Sequence, residues 1–361
     1  MSTAIRNRFL GFVVFCLMNA AAARAEKIVL VAGGGEGSDG GPAREARLQM
    51  PFGVDFDRAG NLFLAEFIGH RVRKIDGKGI ITTIAGTGEK GYGGDDGPAA
   101  RARFDSIHSL VVAANGDVYV ADSWNKRLRK IDGRTAMICT VAGTGQKGFS
   151  GDGGPATKAR FGDIYCAAFD AKREKIYLAD LDNRRIRVLD LESCVVETVA
   201  GNGKRGVPRD GAEARQAPLV DPRAVAVDAK GNVYILERGG HALRVVDAEG
   251  KIRTVAGTGE KGFSGDGGEA LRARLNGPKH LCVDRNGDVL IADTENHVIR
   301  KYLPREGKII RIAGTGRAGR AGLDGPPLKA ELNQPHGVHA RPDGTIYISD
   351  SSNNRVLKIE P

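Results

Sequence analysis

The stretch Val118-Tyr119-Val120-Ala121-Asp122, followed by Arg127-Leu128-Arg129-Lys130-Ile131-Asp132 and then by Val141-Ala142-Gly143, decides the fold. Its first segment is apolar and ends in an acid, its second mixes cationic and aliphatic residues, and its third is a short Ala-Gly signature. Self-similarity at a fixed period of this size is typical of repeat architectures. The signature recurs at spacings of 53 to 58 residues, as Val31-Ala32-Gly33, Ile84-Ala85-Gly86, Val141-Ala142-Gly143, Val199-Ala200-Gly201, Val255-Ala256-Gly257 and Ile312-Ala313-Gly314.

Each repeat also contains a start motif and a hairpin signal. The start motif is Pro51-Phe52-Gly53-Val54 in one repeat and Pro335-His336-Gly337-Val338 in another. Asn115-Gly116 and Asn286-Gly287 mark two-residue hairpin turns, because both residue types tolerate positive φ. Four short strands per repeat predict a propeller blade. Five complete repeats begin near residues 50, 106, 163, 221 and 277.

The sixth repeat begins at Asn333 and ends after three strands. Residues 27–31 have the sequence of a fourth strand but follow no repeat of their own. We therefore predict an all-β, six-bladed propeller over residues 26–361, in which the N-terminal strand completes the C-terminal blade. Such closure removes the open sheet edges that an incomplete ring would expose.

The composition agrees with a turn-rich β fold. The chain has 51 glycines among 361 residues, roughly twice the usual share, and 41% of its residues are hydrophobic. The hydrophobic content argues against a disordered chain. Glycine weakens helix interiors by about 1 kcal/mol each, which argues against a helical architecture, and collagen is excluded because no strict Gly-X-Y period exists.

The N-terminus has the pattern of a secretory signal. Arg6 and Arg8 precede an apolar run from Phe9 to Met18, and Ala23-Arg24-Ala25 supplies the small residues of a cleavage site. The run is shorter than the roughly 17–25 residues of a membrane-spanning helix. We expect residues 1–25 to be removed after Ala25, and the chain to be exported to the periplasm or the extracellular space.

Export bears on the partners and on the cysteines. Removing Arg6, Arg8 and Arg24 lowers the net charge from +10 to +7. A basic chain often binds nucleic acid, but export makes an acidic glycan, a lipid head group, an acidic protein or a small anion the better candidate. We expect no membrane span and a monomer.

Four cysteines remain after export (Cys139, Cys166, Cys194 and Cys282), and we predict that they are buried free thiols. Cys139–Cys194 is the one disulfide pairing to test.

The repeats resemble the NHL-repeat family across the predicted domain. The matching motifs are Asn125-Lys126-Arg127-Leu128, Glu295-Asn296-His297-Val298-Ile299 and Asn353-Asn354-Arg355-Val356-Leu357. The fourth repeat departs from them with Glu237-Arg238-Gly239-Gly240-His241-Ala242. Related propellers include peptidylglycine amidating lyase, the gluconolactonase and regucalcin group, and pure binders, so the resemblance implies the fold and leaves the function open.

One position of the start motif differs from repeat to repeat. The first strand of a blade is innermost, so its first residues should surround one end of the central channel, which we call the mouth. Four of the six residues can be cationic and none is acidic, and unlike polar groups that converge at a channel end predict a ligand site; the alternative is a solvated rim. The six residues, here called the mouth ring, are Phe52, His108, Tyr165, Arg223, Lys279 and His336.

The acids that end each second strand form another ring. We predict that they accept hydrogen bonds from the following turn or pair with nearby Arg or Lys, and that their combined charge keeps His108 and His336 protonated. The six acids are Glu66, Asp122, Asp180, Glu237, Asp293 and Asp350.

The resemblance also bears on metal binding. In amidating lyase three zinc-binding histidines occupy the start position, and His108 and His336 resemble two of them. Arg223 stands where the third is expected, whereas catalytic zinc usually has three protein ligands. We therefore expect no metal or other cofactor, with His108 and His336 as weak candidates for a divalent ion. The acids used by the gluconolactonase group are absent from the mouth ring.

The link from each fourth strand to the next first strand is long and rich in glycine, and it should lie on the face of the mouth. A short Ala-rich helical turn ends each of these long links. Several cations on those turns could steer anions toward the mouth: Arg101, Arg103, Lys158, Arg160, Arg272, Arg274 and Lys329. The predicted function is a binding module for an anionic partner on this face, and the alternative is a metal-dependent lyase or lactonase at the same mouth.

Overall fold

The computed structural model describes residues 26–360, in which six four-stranded antiparallel blades surround a channel. The predicted signal sequence and Pro361 lie outside these residues. Counted outward from the channel, blade 1 contains Pro51–Phe56, Leu62–Glu66, Arg71–Ile75 and Ile81–Ala85, and blade 2 contains Ile107–Val112, Val118–Asp122, Arg127–Ile131 and Met137–Ala142. Blade 3 contains Ile164–Asp170, Lys175–Asp180, Arg185–Asp190 and Val195–Ala200. Blade 4 contains Pro222–Val227, Val233–Glu237, Ala242–Val246 and Lys251–Ala256, and blade 5 contains His280–Val283, Val289–Asp293, Val298–Leu303 and Lys308–Ala313.

Blade 6 confirms the predicted closure. Its first three strands are Pro335–Ala340, Ile346–Asp350 and Arg355–Glu360, and its fourth is Lys27–Ala32 from the other end of the chain. Lys27 lies opposite Glu360 and Leu30 opposite Leu357 in an antiparallel register. The first strands of neighbouring blades contact each other all the way around, including blade 6 with blade 1. The sheet edge that each terminus would expose alone is thus paired.

The Ala-Gly signature marks the return of each fourth strand toward the mouth. All six alanines are fully buried, and all six glycines have φ between 77° and 94°. A Cβ at Gly143 would lie 2.2 Å from the carbonyl oxygen of Lys126, and the other five glycines meet a carbonyl at 2.1 to 2.4 Å. The positive φ and the close carbonyl together require glycine at this position.

The long links contain one short 3-10 helix each, as predicted for their helical turns. These helices are Ala43–Glu45, Ala99–Arg101, Ala156–Lys158, Ala214–Gln216, Ala270–Arg272 and Pro327–Lys329. Before three of them, two-residue strands cover the outer edges of blades 2, 3 and 4, at Gly97–Pro98, Gly154–Pro155 and Ala212–Glu213. Three further 3-10 helices connect second to third strands, at Ser123–Asn125, Thr294–Asn296 and Ser351–Asn353.

Buried side chains between neighbouring blades form the core. The largest cluster runs from blade 3 to blade 5 and includes Leu236, Leu243 and Leu275. Another cluster joins the two ends of the chain, because Ile28 packs with residues of blades 5 and 6. No helix within residues 26–360 is both long enough and apolar enough to span a membrane.

Candidate functional site

The six acids at the ends of the second strands hold the start of each first strand in place. In every blade the carboxylate accepts a hydrogen bond from the backbone N–H three residues before the mouth-ring residue. The donors are Gln49, Asp105, Gly162, Val220, Asn276 and Asn333, with N···O distances of 2.6 to 2.8 Å. These donors lie 17 or 18 residues before the acid rather than in the turn that follows it, so the acids have a structural role that extends beyond the predicted one. They fix the backbone beneath the mouth ring.

A hydroxyl group adds a second support in three blades. Ser123, Thr294 and Ser351 follow the acid and donate to the carbonyl oxygens of Ile164, Pro335 and Pro51 in the next blade, at 2.6 to 2.8 Å. Each acceptor directly precedes a mouth-ring residue. The bond from Ser351 to Pro51 spans the closure between blades 6 and 1.

The departure of blade 4 from the repeat has a steric explanation. Four blades combine an aspartate with an asparagine three residues later, whose Nδ2 donates to that aspartate, as Asn125 does to Asp122 at 2.9 Å. Blades 1 and 4 combine a glutamate with a glycine instead. A Cβ at Gly240 would lie 2.5 Å from Oε2 of Glu237, so the longer acid occupies the space of the asparagine. Blade 4 therefore keeps the support of its first strand.

Five of the six mouth-ring residues are brought together as one line of contacts, in which the ring of Phe52 also lies 5.3 Å from that of His108. Phe52 stacks on His336 with ring centroids 4.2 Å apart, and His108 packs edge-on against Tyr165 at 4.3 Å. The guanidinium of Arg223 lies over the Tyr165 ring at 4.3 Å. The ring of Phe52 has little surface left for a ligand, because it is 3% exposed and Phe67 covers its other face at 4.6 Å.

The two mouth histidines are neutral rather than protonated. Burial lowers the pKa of His108 and of His336 well below the ordinary value, and the positive charges of Arg223 and Lys279 lower both further. The expectation that the acid ring keeps them charged is wrong, because those acids are buried and engaged with arginines and backbone N–H groups. Nδ1 of His108 lies 2.9 Å from the Ser106 carbonyl oxygen, and Nδ1 of His336 lies 2.8 Å from that of Gln334.

Arg223 differs from the other buried arginines near the mouth. It is 4% exposed, and among the described residues it has no carboxylate partner; its hydrogen bond runs from Nη1 to the Tyr165 carbonyl oxygen at 3.2 Å. Burial lowers the pKa of Arg223 to about 10. By contrast, six other buried arginines each pair with the second-strand acid of their own blade: Arg73, Arg129, Arg187, Arg244, Arg300 and Arg355.

Two further cations lie beside Arg223. Lys279 pairs with Glu295 at 2.7 Å. Burial lowers the pKa of Lys279, and the charges of Arg223 and Arg238 lower it further by smaller amounts. Arg238 also contributes to the lowered pKa of Arg223, after the larger effect of burial. Blade 4 thus brings two arginines to one side of the mouth, and blade 5 adds Lys279, whose charge is shared with Glu295.

Sequence reasoning missed a second layer of the mouth. The residue after each second-strand acid also differs between blades, and in blades 1 and 4 it is Phe67 and Arg238. Phe67 contacts His108 at 4.8 Å and Trp124 at 5.8 Å between ring centroids. Aligning this position as the start motifs were aligned would have revealed the layer.

The helical-turn cations are exposed, and Arg103, Arg272 and Arg274 pair with glutamates.

The opposite end of the channel contains a cavity of about 280 Å³ that the sequence did not suggest. Asp55 and His339 line it, with Oδ1 and Nδ1 3.6 Å apart. His280 lies there too, and its Nδ1 accepts the Val338 N–H at 3.3 Å. Burial lowers the pKa of His280 to about 3. Three other histidines have structural contacts between blades: Nδ1 of His70, His241 and His297 accepts the backbone N–H groups of Ser106, Gly277 and Gln334.

The residues present do not fit a zinc centre. Over residues 26–360 no group of three His, Cys, Asp or Glu side chains could hold a metal ion, and a buried guanidinium stands in the third position. Cys139, Cys166, Cys194 and Cys282 are free thiols. Their predicted burial is correct for Cys166 and wrong for Cys194, which lies exposed at a turn between strands.

Comparison with known proteins supports the repeat assignment. The NHL repeat model matches residues 104–131, 275–302 and 332–359, and the Teneurin NHL domain model matches residues 157–264. The chain is 28% identical over 293 residues to the protein SUPPRESSOR OF QUENCHING 1, chloroplastic, of Arabidopsis thaliana, covering 78% of this chain and 27% of that protein. It is 25% identical over 346 residues to NHL repeat-containing protein 2 of Gallus gallus, covering 87% and 46%.

The chain therefore spans about a quarter to a half of the length of these relatives. Among solved structures, an auxiliary nutrient binding protein from Bacteroides thetaiotaomicron is similar with a TM-score of 0.67 at 16% identity, over 93% of this chain and 76% of that one. Likeness at this identity shows a shared fold. Three blades that match the repeat itself, relatives named for it and a closed ring of six similar blades establish that the chain belongs to the NHL-repeat family of β-propellers.

Proposed function

We propose that this propeller is an exported binding module that holds an anionic group at the mouth, on the face of the long links. The observation that carries the proposal is Arg223, a buried guanidinium without a carboxylate partner among the described residues. A buried charge is unfavourable unless it is paired. An anion at the mouth would supply the missing partner, and an arginine can bind carboxylate, sulfate or phosphate through two parallel hydrogen bonds.

The surrounding charges support an anion rather than a cation. Arg238 adds positive charge beside Arg223, as does Lys279, whose charge is shared with Glu295. His108 and His336 are neutral. Their Nδ1–H groups donate to backbone carbonyl oxygens, which leaves Nε2 of each ring as a hydrogen-bond acceptor. The nearest acids of the second-strand ring are buried in their own ion pairs. The ligand would be a small anion or an anionic group on a glycan or protein, and export remains a prediction from residues 1–25.

The direct test is calorimetric titration with inorganic sulfate at constant ionic strength. The double variant Arg223→Gln/Lys279→Gln should weaken sulfate binding at least tenfold. Arg101→Gln/Lys158→Gln is the matched control, because it removes the same charge from exposed helical turns of the long links. Equal affinities of the two double variants would refute the proposal.

A metal-dependent lyase or lactonase at the same mouth is the alternative. One observation favours it: Nδ1 of both His108 and His336 lies within hydrogen-bonding distance of a backbone carbonyl oxygen. Histidines that bind a metal through one ring nitrogen usually donate the N–H of the other nitrogen in this way. Metal analysis of natively purified protein separates the two functions. Stoichiometric metal that is lost when both histidines are replaced by alanine would favour the enzyme.

A further inference from the structure

Large apolar side chains that are exposed at the turns after the second strands lie in two neighbouring blades of the described chain. The second residue after the second-strand acid is apolar in blades 1 and 2, where Ile68 is 51% and Trp124 is 40% exposed. In blades 3 to 6 the same position holds Asp182, Gly239, Glu295 and Ser352. Phe67 lies beside Trp124 and extends the apolar surface inward to His108.

Three cations of the mouth lie on the opposite side, whereas Lys90 Nζ lies over the Trp124 ring, 4.9 Å from its centroid. Arg223 and Arg238 belong to blade 4 and Lys279 to blade 5. In a closed ring of six blades, blade 4 faces blade 1 and blade 5 faces blade 2 across the channel. The mouth is therefore divided into an aromatic half and a cationic half, with Tyr165 of blade 3 between them.

Contacts connect the two halves without interruption. From Trp124 the line passes to Phe67 at 5.8 Å, to His108 at 4.8 Å, to Tyr165 at 4.3 Å and to the Arg223 guanidinium at 4.3 Å. Trp124 stays 40% exposed beside Phe67 and Lys90, so its ring still offers flat contact area at the rim. A large apolar side chain left at a binding cleft is a common feature of ligand sites.

We propose that the ligand of the mouth is an organic anion that carries an aromatic ring, with the anionic group on blades 4 and 5 and the ring on blades 1 and 2. This inference rests on the proposed anion site and adds the chemistry of the rest of the ligand. A hydrated inorganic anion would leave the aromatic half without a function. A neutral aromatic molecule would leave Arg223 unpaired.

The test compares two sulfonates that differ only in the organic group. Methanesulfonate and 2-naphthalenesulfonate are titrated calorimetrically into the full chain at the same ionic strength. We expect 2-naphthalenesulfonate to bind at least tenfold more tightly, which corresponds to about 1.4 kcal/mol. Trp124→Ala should remove most of that advantage while leaving methanesulfonate binding unchanged, and Ile68→Ser should reduce it in part.

Matched variants make the outcomes distinct. Phe149→Ala removes a similarly exposed aromatic residue from a long link outside the mouth, where Phe149 stacks on Arg185, and it should change neither affinity. If both sulfonates bind equally and both depend on Arg223, the aromatic inference is wrong and the anion site stands. If the affinity for neither sulfonate depends on Arg223, the proposed function is wrong as well. Equal losses for Phe149→Ala and Trp124→Ala would show nonspecific apolar binding and overturn the inference.

Discussion

The substitution Arg223→Gln should leave the folded chain as stable as before, or make it more stable. Burial lowers the pKa of Arg223 to about 10 from an ordinary value of 12.5. Each tenfold change in proton affinity is about 1.4 kcal/mol, so the charged form is disfavoured by about 3 kcal/mol at this position. A neutral glutamine removes that cost.

The substitution also removes two favourable contacts. The cation–π contact with Tyr165, at 4.3 Å, contributes about 0.5–2 kcal/mol. The hydrogen bond to the Tyr165 carbonyl oxygen contributes about 1 kcal/mol. The net expectation is a free energy of unfolding that stays constant or rises by up to about 1.5 kcal/mol.

Arg300→Gln is the matched control because Arg300 is equally buried but paired. Its guanidinium lies 2.7 Å from Asp266 and 3.6 Å from Asp293. Removing one partner of a buried ion pair costs about 3–5 kcal/mol, since the other charge stays buried alone. Asp293 would be that charge, and burial already raises its pKa to about 7.

Urea denaturation followed by far-ultraviolet circular dichroism measures both variants. The fluorescence of Trp124, the single tryptophan of the chain, is a poorer probe because it lies at the mouth. The reasoning predicts that the two variants differ by at least about 3 kcal/mol. If Arg223→Gln loses as much stability as Arg300→Gln, Arg223 is a structural residue, and its lack of a carboxylate is no evidence for an anion site.

Three further predictions concern closure, pH and blade 4. Ile28→Ala should lower the free energy of unfolding by about 3 kcal/mol, whereas Ile68→Ala should change it by less than about 0.5 kcal/mol; equal effects in urea denaturation would contradict closure by the N-terminal strand. Burial lowers the pKa of His336, so the unfolded chain takes up the proton first as the pH falls below about 6.5, and stability declines. His336→Gln should reduce that decline between pH 7.5 and 5, and an unchanged decline would argue against a buried neutral imidazole. Gly240→Asn should cost about 1–3 kcal/mol by overpacking, and adding Glu237→Asp should recover most of it, as a double-mutant cycle would measure.

The fold was predictable because its determinants repeat along the chain. The Ala-Gly signature requires glycine because a Cβ at that position would lie within 2.4 Å of a backbone carbonyl oxygen. That constraint recurs six times along the chain. The unmatched strand at residues 27–31 could be assigned to blade 6 for the same reason, since one repeat lacked a fourth strand. The periodic sequence pattern was therefore enough to predict the architecture, without any information on distant contacts.

The candidate site was only partly predictable, because its properties depend on burial and on neighbours from other blades. The mouth-ring positions followed from the strand order, but the neutral state of His108 depends on desolvation and on Arg223, 115 positions away in the sequence. Phe52 has the residue type of a ligand contact, yet Phe67 and His336 cover both of its faces. Neither effect leaves a periodic signal.

The two glutamate blades suggest how this scaffold accommodates an unusual mouth. In blade 4, Glu237 and Gly240 replace the Asp and Asn of the regular blades, and the acid still accepts the Val220 N–H at 2.6 Å and binds Arg244. The support of the first strand is therefore complete, although Arg238 takes the place of the hydroxyl that other blades use. Loss of the repeat pattern through simple decay would be expected to weaken this support. Because the support from the acid is intact and the altered position carries Phe67 in blade 1 and Arg238 in blade 4, the Glu–Gly pair is better explained as a way to place a mouth residue at that position.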